Sequence, residues 1–172
     1  MAGAAEPSGA LVPLPQPPGS GGRGRWLRLR PPRLARRLTF AALVLHALVW
    51  GFNAPYGRSV AGGVALVVAG FGLMFWAWRH FRQVHTPIGP TAAPLALVDA
   101  GPYRFSRNPM YLGVTLALLG IGLALGVPLM ALAAASFAVT MHHLHIPHEE
   151  AALQRAFGGW YSDYAAKVRR WL

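Results

Sequence analysis

The sequence predicts an all-α integral membrane protein with four transmembrane helices, a C-terminal amphipathic helix and a disordered N-terminal tail. Three observations predict it. The chain is 54% hydrophobic and 12% charged over 172 residues, whereas a soluble domain carries about 25% charged residues. Uncharged apolar stretches of membrane-spanning length recur along it. Positive charge alternates between successive connections instead of spreading evenly.

Composition also excludes. With no cysteine, a disulfide framework, a thiolate nucleophile and a cysteine-ligated metal are ruled out. The 16 Lys+Arg against 5 Asp+Glu leave a formal net charge of +11. Such an excess suits nucleic acid or an anionic membrane surface. The low charged fraction favours the membrane, and no nucleic-acid partner is expected.

Residues 1–24 are rich in Ala, Gly, Pro and Ser. They offer too little apolar surface to offset the entropy of ordering, so they read as a tail without fixed structure. A basic juxtamembrane segment, 25–37, follows, with Arg25, Arg28, Arg30, Arg33, Arg36 and Arg37. A membrane domain then spans 38–172. Its first span is placed at about 38–56. A basic block before an apolar run is also the form of a secretory or twin-arginine signal. No clear small-residue cleavage site follows, and further spans do, which favours an uncleaved helix.

The second span, 60–78, ends in Phe75, Trp76 and Trp78, aromatics suited to the membrane–water interface. Ala61, Ala65 and Ala69 share one face, and small residues at that spacing let helices approach closely. Residues 79–109 form a polar, proline-rich connector, long enough to be functional. Leu112 to Met141 carries no charge, and a single helix of that length overshoots a core of about 30 Å. Gly126 and Pro128 supply the break between spans at 109–125 and 127–146. From His148 onward, Leu153, Phe157, Trp160, Tyr161, Tyr164, Val168 and Trp171 recur at helical spacing. This predicts an interfacial amphipathic helix over 148–171, with a weak point at Gly158-Gly159.

The flank before the first span and the connector 79–109 are basic, while the loops 53–59 and 126–128 are nearly neutral. That alternation places both termini, the connector and the C-terminal helix on the cytoplasmic side. Those last two segments hold the candidate chemistry. Asn108-Pro109 has the form of a helix start, whose free N–H groups attract anions, and Arg104 and Arg107 stand beside it. Glu149 and Glu150 directly follow the fourth span. They suit the positive end of a helix, ion pairs with the connector, or a cationic ligand. His142, His145 and His148 share a helical spacing that a metal could use. Headgroup-facing histidines are the simpler account, and no metal is expected.

The segments Gly-Pro-Tyr-Arg-Phe-Ser-Arg-Asn-Pro-Met-Tyr-Leu-Gly (101–113) and Glu-Glu-x-x-Leu-x-x-x-Phe-Gly-x-x-Tyr-x-x-Tyr (149–164), in this order around an apolar hairpin, resemble the isoprenylcysteine carboxyl methyltransferase and phospholipid methyltransferase group, its bacterial branch above all. The resemblance covers about Trp78 to Leu172. It implies a membrane methyltransferase that uses S-adenosylmethionine in a cytoplasm-facing pocket and takes a lipophilic acceptor, an isoprenyl compound or lipid, from the bilayer. Carried over position by position, it implies Arg107 and Glu149 as candidate catalytic residues; His145 stands where the eukaryotic enzymes have arginine and is a candidate base for a hydroxyl, amine or thiol acceptor. It implies Gly101, Pro102, Tyr103, Arg104, Asn108, Pro109, Tyr111, Glu149 and Glu150 as the cofactor-binding set. The chain departs from the eukaryotic carboxyl methyltransferases in having Asn108 for a histidine and His145 for an arginine, so the acceptor stays open. A multi-pass scaffold that keeps the fold without catalysis is the alternative.

Overall fold

The computed structural model describes residues 31–50, 58–83 and 97–172. The expectations for residues 1–24, for Arg25 to Arg30, for the end of the first span and for 84–96 lie outside these.

The described residues form helices joined by short turns, with no strand among them. The helices are α1 (Pro31–Trp50), α2 (Val60–Gln83), α3 (Pro109–Leu125), α4 (Leu129–Thr140), α5 (Ile146–Phe157) and α6 (Gly159–Lys167), with a 3₁₀ turn at Gly101–Arg104 and a π-helical turn at Met141–His145. Two runs are long and apolar enough to cross a membrane, Val60–Arg82 and Leu129–Phe157. α3 is apolar but 17 residues long, the lower limit for a span. Among the described residues α1 runs from Pro31, so Arg33, Arg36 and Arg37 of the basic segment lie on a helix.

α2 and α3 form the closest helix pair. Gly63, Gly70 and Ala77 of α2, seven residues apart, are buried, and the two glycines face the α3 backbone. A Cβ on Gly70 would lie 2.5 Å from the Gly113 carbonyl oxygen, and one on Gly120 would lie 2.6 Å from that of Gly63. The predicted alanine face is therefore the wrong one. Ala61, Ala65 and Ala69 are exposed, because a glycine stripe permits a closer backbone approach than alanine does. The α3–α4 hairpin turns where expected. Gly126 is left-handed (φ 70°, ψ 34°) and its N–H donates to the Gly122 carbonyl, a position suited to glycine.

The buried core joins α1, α3 and α4 through Ala42, Leu118, Met130, Ala134, Phe137, Met141 and Ile146. Large apolar side chains meanwhile point outward, among them Phe40, Leu48, Val68, Phe71, Leu132 and Val139. A soluble protein rarely exposes so much contiguous apolar surface; lipid solvates it without penalty.

Two expectations at the C-terminal end are corrected. The expected boundary between a span ending at 146 and a new helix from 148 is absent, because helix continues through Pro147. The π turn just ahead makes this possible: the Ile146 N–H reaches the Met141 carbonyl. The wider turn relieves the clash that a proline ring makes with the carbonyl four residues back. At about 1.5 Å per residue, the run Leu129–Phe157 exceeds the hydrocarbon thickness, so its polar end projects from it. The interfacial helix expected over 148–171 breaks at the expected weak point, Gly158 (φ 55°, ψ −123°), but ends earlier, at Lys167, with Val168 extended. The break turns Trp160 outward, 78% exposed, while Tyr161 is buried.

Candidate functional site

The site lies where the start of α3 meets the projecting end of the long helix. Gly101 begins the 3₁₀ turn with φ 61°, and a Cβ there would strike the His80 ring. That close approach seats the buried Tyr103 edge-on against Phe81, ring centroids 5.2 Å apart. Tyr164 of α6 donates its hydroxyl to the Tyr103 carbonyl at 2.8 Å, which ties the connector to α6.

α3 begins at the expected residue, with the buried Pro109 in its first turn, but Asn108 makes no side-chain cap. Its amide Nδ2 donates instead to the Arg170 carbonyl at 3.0 Å. The buried Ser106 hydroxyl accepts the Asn108 N–H at 3.1 Å and lies 3.3 Å from the same Arg170 carbonyl. The tail after α6 thus competes successfully for the cap residue.

Arg107 and the glutamate pair are brought together although some forty residues apart in sequence. Arg107 Nη1 lies 2.9 Å from Glu150 Oε1, and both side chains are only 17% exposed. The same nitrogen donates to the Tyr161 hydroxyl at 3.2 Å. Arg107 Nε is buried with no hydrogen-bond partner among the described residues, a donor left facing inward. Glu149, half-buried, accepts the Tyr111 hydroxyl at 2.7 Å. Arg170 pairs with both oxygens of Glu150, at 2.9 and 2.6 Å.

This arrangement sets the protonation of its members. Burial pushes the Tyr103 and Tyr164 hydroxyls above the ordinary tyrosine range, with neighbouring tyrosine charge adding to it. Burial raises Tyr161 as well, against the opposing hydrogen bond from Arg107. All three remain neutral donors around pH 7. Arg170 is raised first by its hydrogen bonds to Glu150.

The predicted residues divide into two groups. Arg107, Asn108, Pro109, Tyr111, Glu149 and Glu150 converge, with Gly101, Pro102 and Tyr103 supporting them. His145 ends the π turn one helical turn before Glu149. Arg104 faces away, exposed. It lines a neighbouring cavity of about 510 Å³ with Asp99, Asp163, Tyr164 and Lys167. His142 does not face headgroups as expected, since its Nδ1 accepts the Trp171 indole N–H at 3.1 Å. Sequence reasoning missed Ser106, Arg170 and Trp171. The available signal was charge: Arg169-Arg170 closes a chain whose other end of the domain offers few acids beyond the Glu149–Glu150 pair.

The description "Phospholipid methyltransferase" belongs to the family that matches residues 59–159, a stretch that includes the α3 start and the glutamate pair but stops short of the tail. An uncharacterized protein of Haemophilus influenzae is 41% identical over 63 residues, 37% of this chain and the whole of that protein. No solved structure matches the chain. The match covers more than half of the sequence, from the first turn of α2 to that of α6, and the chain belongs to the phospholipid methyltransferase family.

Proposed function

We propose that the protein is an S-adenosylmethionine-dependent methyltransferase of the cytoplasmic membrane that acts on a lipophilic acceptor. The observation that carries this reading is the meeting of Arg107 and Tyr111 with Glu150 and Glu149 at 2.9 and 2.7 Å. It occurs at one end of the membrane-length helices.

The donor set suits the cofactor. A buried arginine Nε without a partner and a helix N-terminus without a side-chain cap offer N–H groups to its carboxylate. The glutamate pair suits its ammonium or ribose hydroxyls. S-adenosylmethionine supplies a methyl group activated on a sulfonium. For in-line transfer the protein must align donor and acceptor and keep water away. Arg107, Asn108, Tyr111 and Glu149 hold one end of the ligand, while Tyr103, Tyr161 and Tyr164 wall the site as neutral, protonated groups. His145, one helical turn before Glu149, is the group to take the proton of a hydroxyl, amine or thiol acceptor.

In this reading all four helices α1 to α4 cross the bilayer, with both termini cytoplasmic and the excess arginines against anionic headgroups. The acceptor reaches the site from the lipid.

Labelled S-adenosylmethionine, photo-crosslinked to the purified protein, is expected to mark the unaltered chain. Arg107→Ala and Glu149→Ala should each abolish labelling. Undiminished labelling of both variants would overturn the site, and no labelling of the unaltered chain would favour the non-catalytic scaffold.

A further inference from the structure

The five residues after α6 leave the helix and run back across the start of α3. The Arg107 N–H donates to the Arg169 carbonyl at 2.9 Å, and the Arg170 carbonyl accepts from Asn108 and Ser106. The Arg170 guanidinium grips Glu150. The Trp171 indole reaches His142 in the π turn, and its ring packs against the core. One short segment therefore joins the helix start, the glutamate pair and the π turn.

An exposed ion pair contributes little. This one differs in kind. A planar fork meets both oxygens of one carboxylate, a second cation, Arg107, holds the same group, and backbone carbonyls beside it accept three further donors. Glu150 is thereby fully engaged by arginines of its own chain. Glu149 instead accepts the neutral hydroxyl of Tyr111.

We propose that Arg170 is a positioning residue: by anchoring the C-terminal tail on Glu150 it holds Arg107 and Asn108 in place, and it leaves Glu149 as the carboxylate that meets the cofactor. The proposal rests on the cofactor reading above. It divides the glutamate pair into a structural member and a ligand-facing one. The rival arrangement makes Arg170 an occupant of the cofactor's own place, which the ligand must displace.

The chain has no cysteine, and Leu172 is 70% exposed, so Leu172→Cys provides a unique position for a nitroxide label. In nanodiscs the label should be immobilised, with and without S-adenosylmethionine. Arg170→Ala should free it and weaken binding of S-adenosylmethionine about tenfold or more, in keeping with a charge-assisted pair. Arg170→Lys should recover part of the affinity, since an ammonium cannot span both oxygens. Glu150→Gln should weaken binding at least as much as Arg170→Ala, since it also releases Arg107, and the double variant should be no worse than Glu150→Gln, as for residues that act through one contact. A label that is mobile in the otherwise unaltered chain, or affinity that stays equal or improves in Arg170→Ala, overturns the proposal. So does additive loss in the double variant. Absence of binding by the unaltered chain instead overturns the cofactor reading, while the label still reports whether Arg170 anchors the tail.

Discussion

Arg107 illustrates how one side chain acquires several duties. Its N–H is held by the tail, its Nη1 by Glu150 and Tyr161, and its Nε faces inward without a partner. The tyrosines around it are neutral donors for a physical reason that can be tested. Their folded-state pKa values lie above the ordinary one near 10. Stability from this source is therefore full below about pH 10 and is lost as pH rises past it, because the unfolded chain releases protons that the folded chain retains. The melting temperature in detergent should fall above about pH 10. Tyr103→Phe should lessen that fall and change little at pH 7, since Tyr103 serves Tyr164 through its backbone carbonyl. An unaltered alkaline profile in Tyr103→Phe would contradict the assignment. At this scale Arg107, Tyr111 and Glu149 were legible in the sequence, because motif order and residue type carry them. Arg170 was not, because nothing in linear spacing says that residue 170 returns to residue 107.

At the scale of elements, the α2–α3 pair is set by glycine. Gly70 meets the Gly113 carbonyl, whereas Gly72, two residues on, has nothing within 4 Å of where a Cβ would be. Gly70→Ala should destabilise by roughly 1–3 kcal/mol through overpacking. Gly72→Ala should be neutral or stabilising by up to about 1 kcal/mol through helix propensity. Thermal unfolding in one detergent compares them directly, and equal melting temperatures would refute the interface. Helix existence and the Gly126 turn were readable from apolar length and a single glycine. The choice between an alanine and a glycine face was not, because both stripes repeat on one helix and only the partner selects between them. Likewise, Pro147 reads locally as a helix boundary, and it is the π turn that lets the helix continue.

At the scale of the whole molecule, the exposed apolar side chains of α1, α2 and α4 and the two membrane-length runs give the chain the character of a membrane protein. In the proposed topology the polar end of the long helix carries the site to the surface of the bilayer. The proposed topology predicts opposite accessibility for the α3–α4 turn and the C-terminus. Pro128 and Leu172 are both exposed. In intact cells an impermeant thiol reagent should modify Pro128→Cys, and Leu172→Cys should be modified only after lysis. Modification of both from one side would exclude the four-span arrangement.

The class of molecule and the family are written in the order of the residues: apolar runs with sparse, asymmetric charge specify helices in lipid, and the 101–113 and 149–164 motifs specify the kinship. Both are properties of residue order alone. How the glutamate pair is shared emerges from packing alone, with Glu150 held by Arg107 and Arg170 and Glu149 by Tyr111. Hydrogen bonds and ion pairs act over about 3 Å. Which groups come that close is settled by the break at Gly158 and by the path of the chain beyond it.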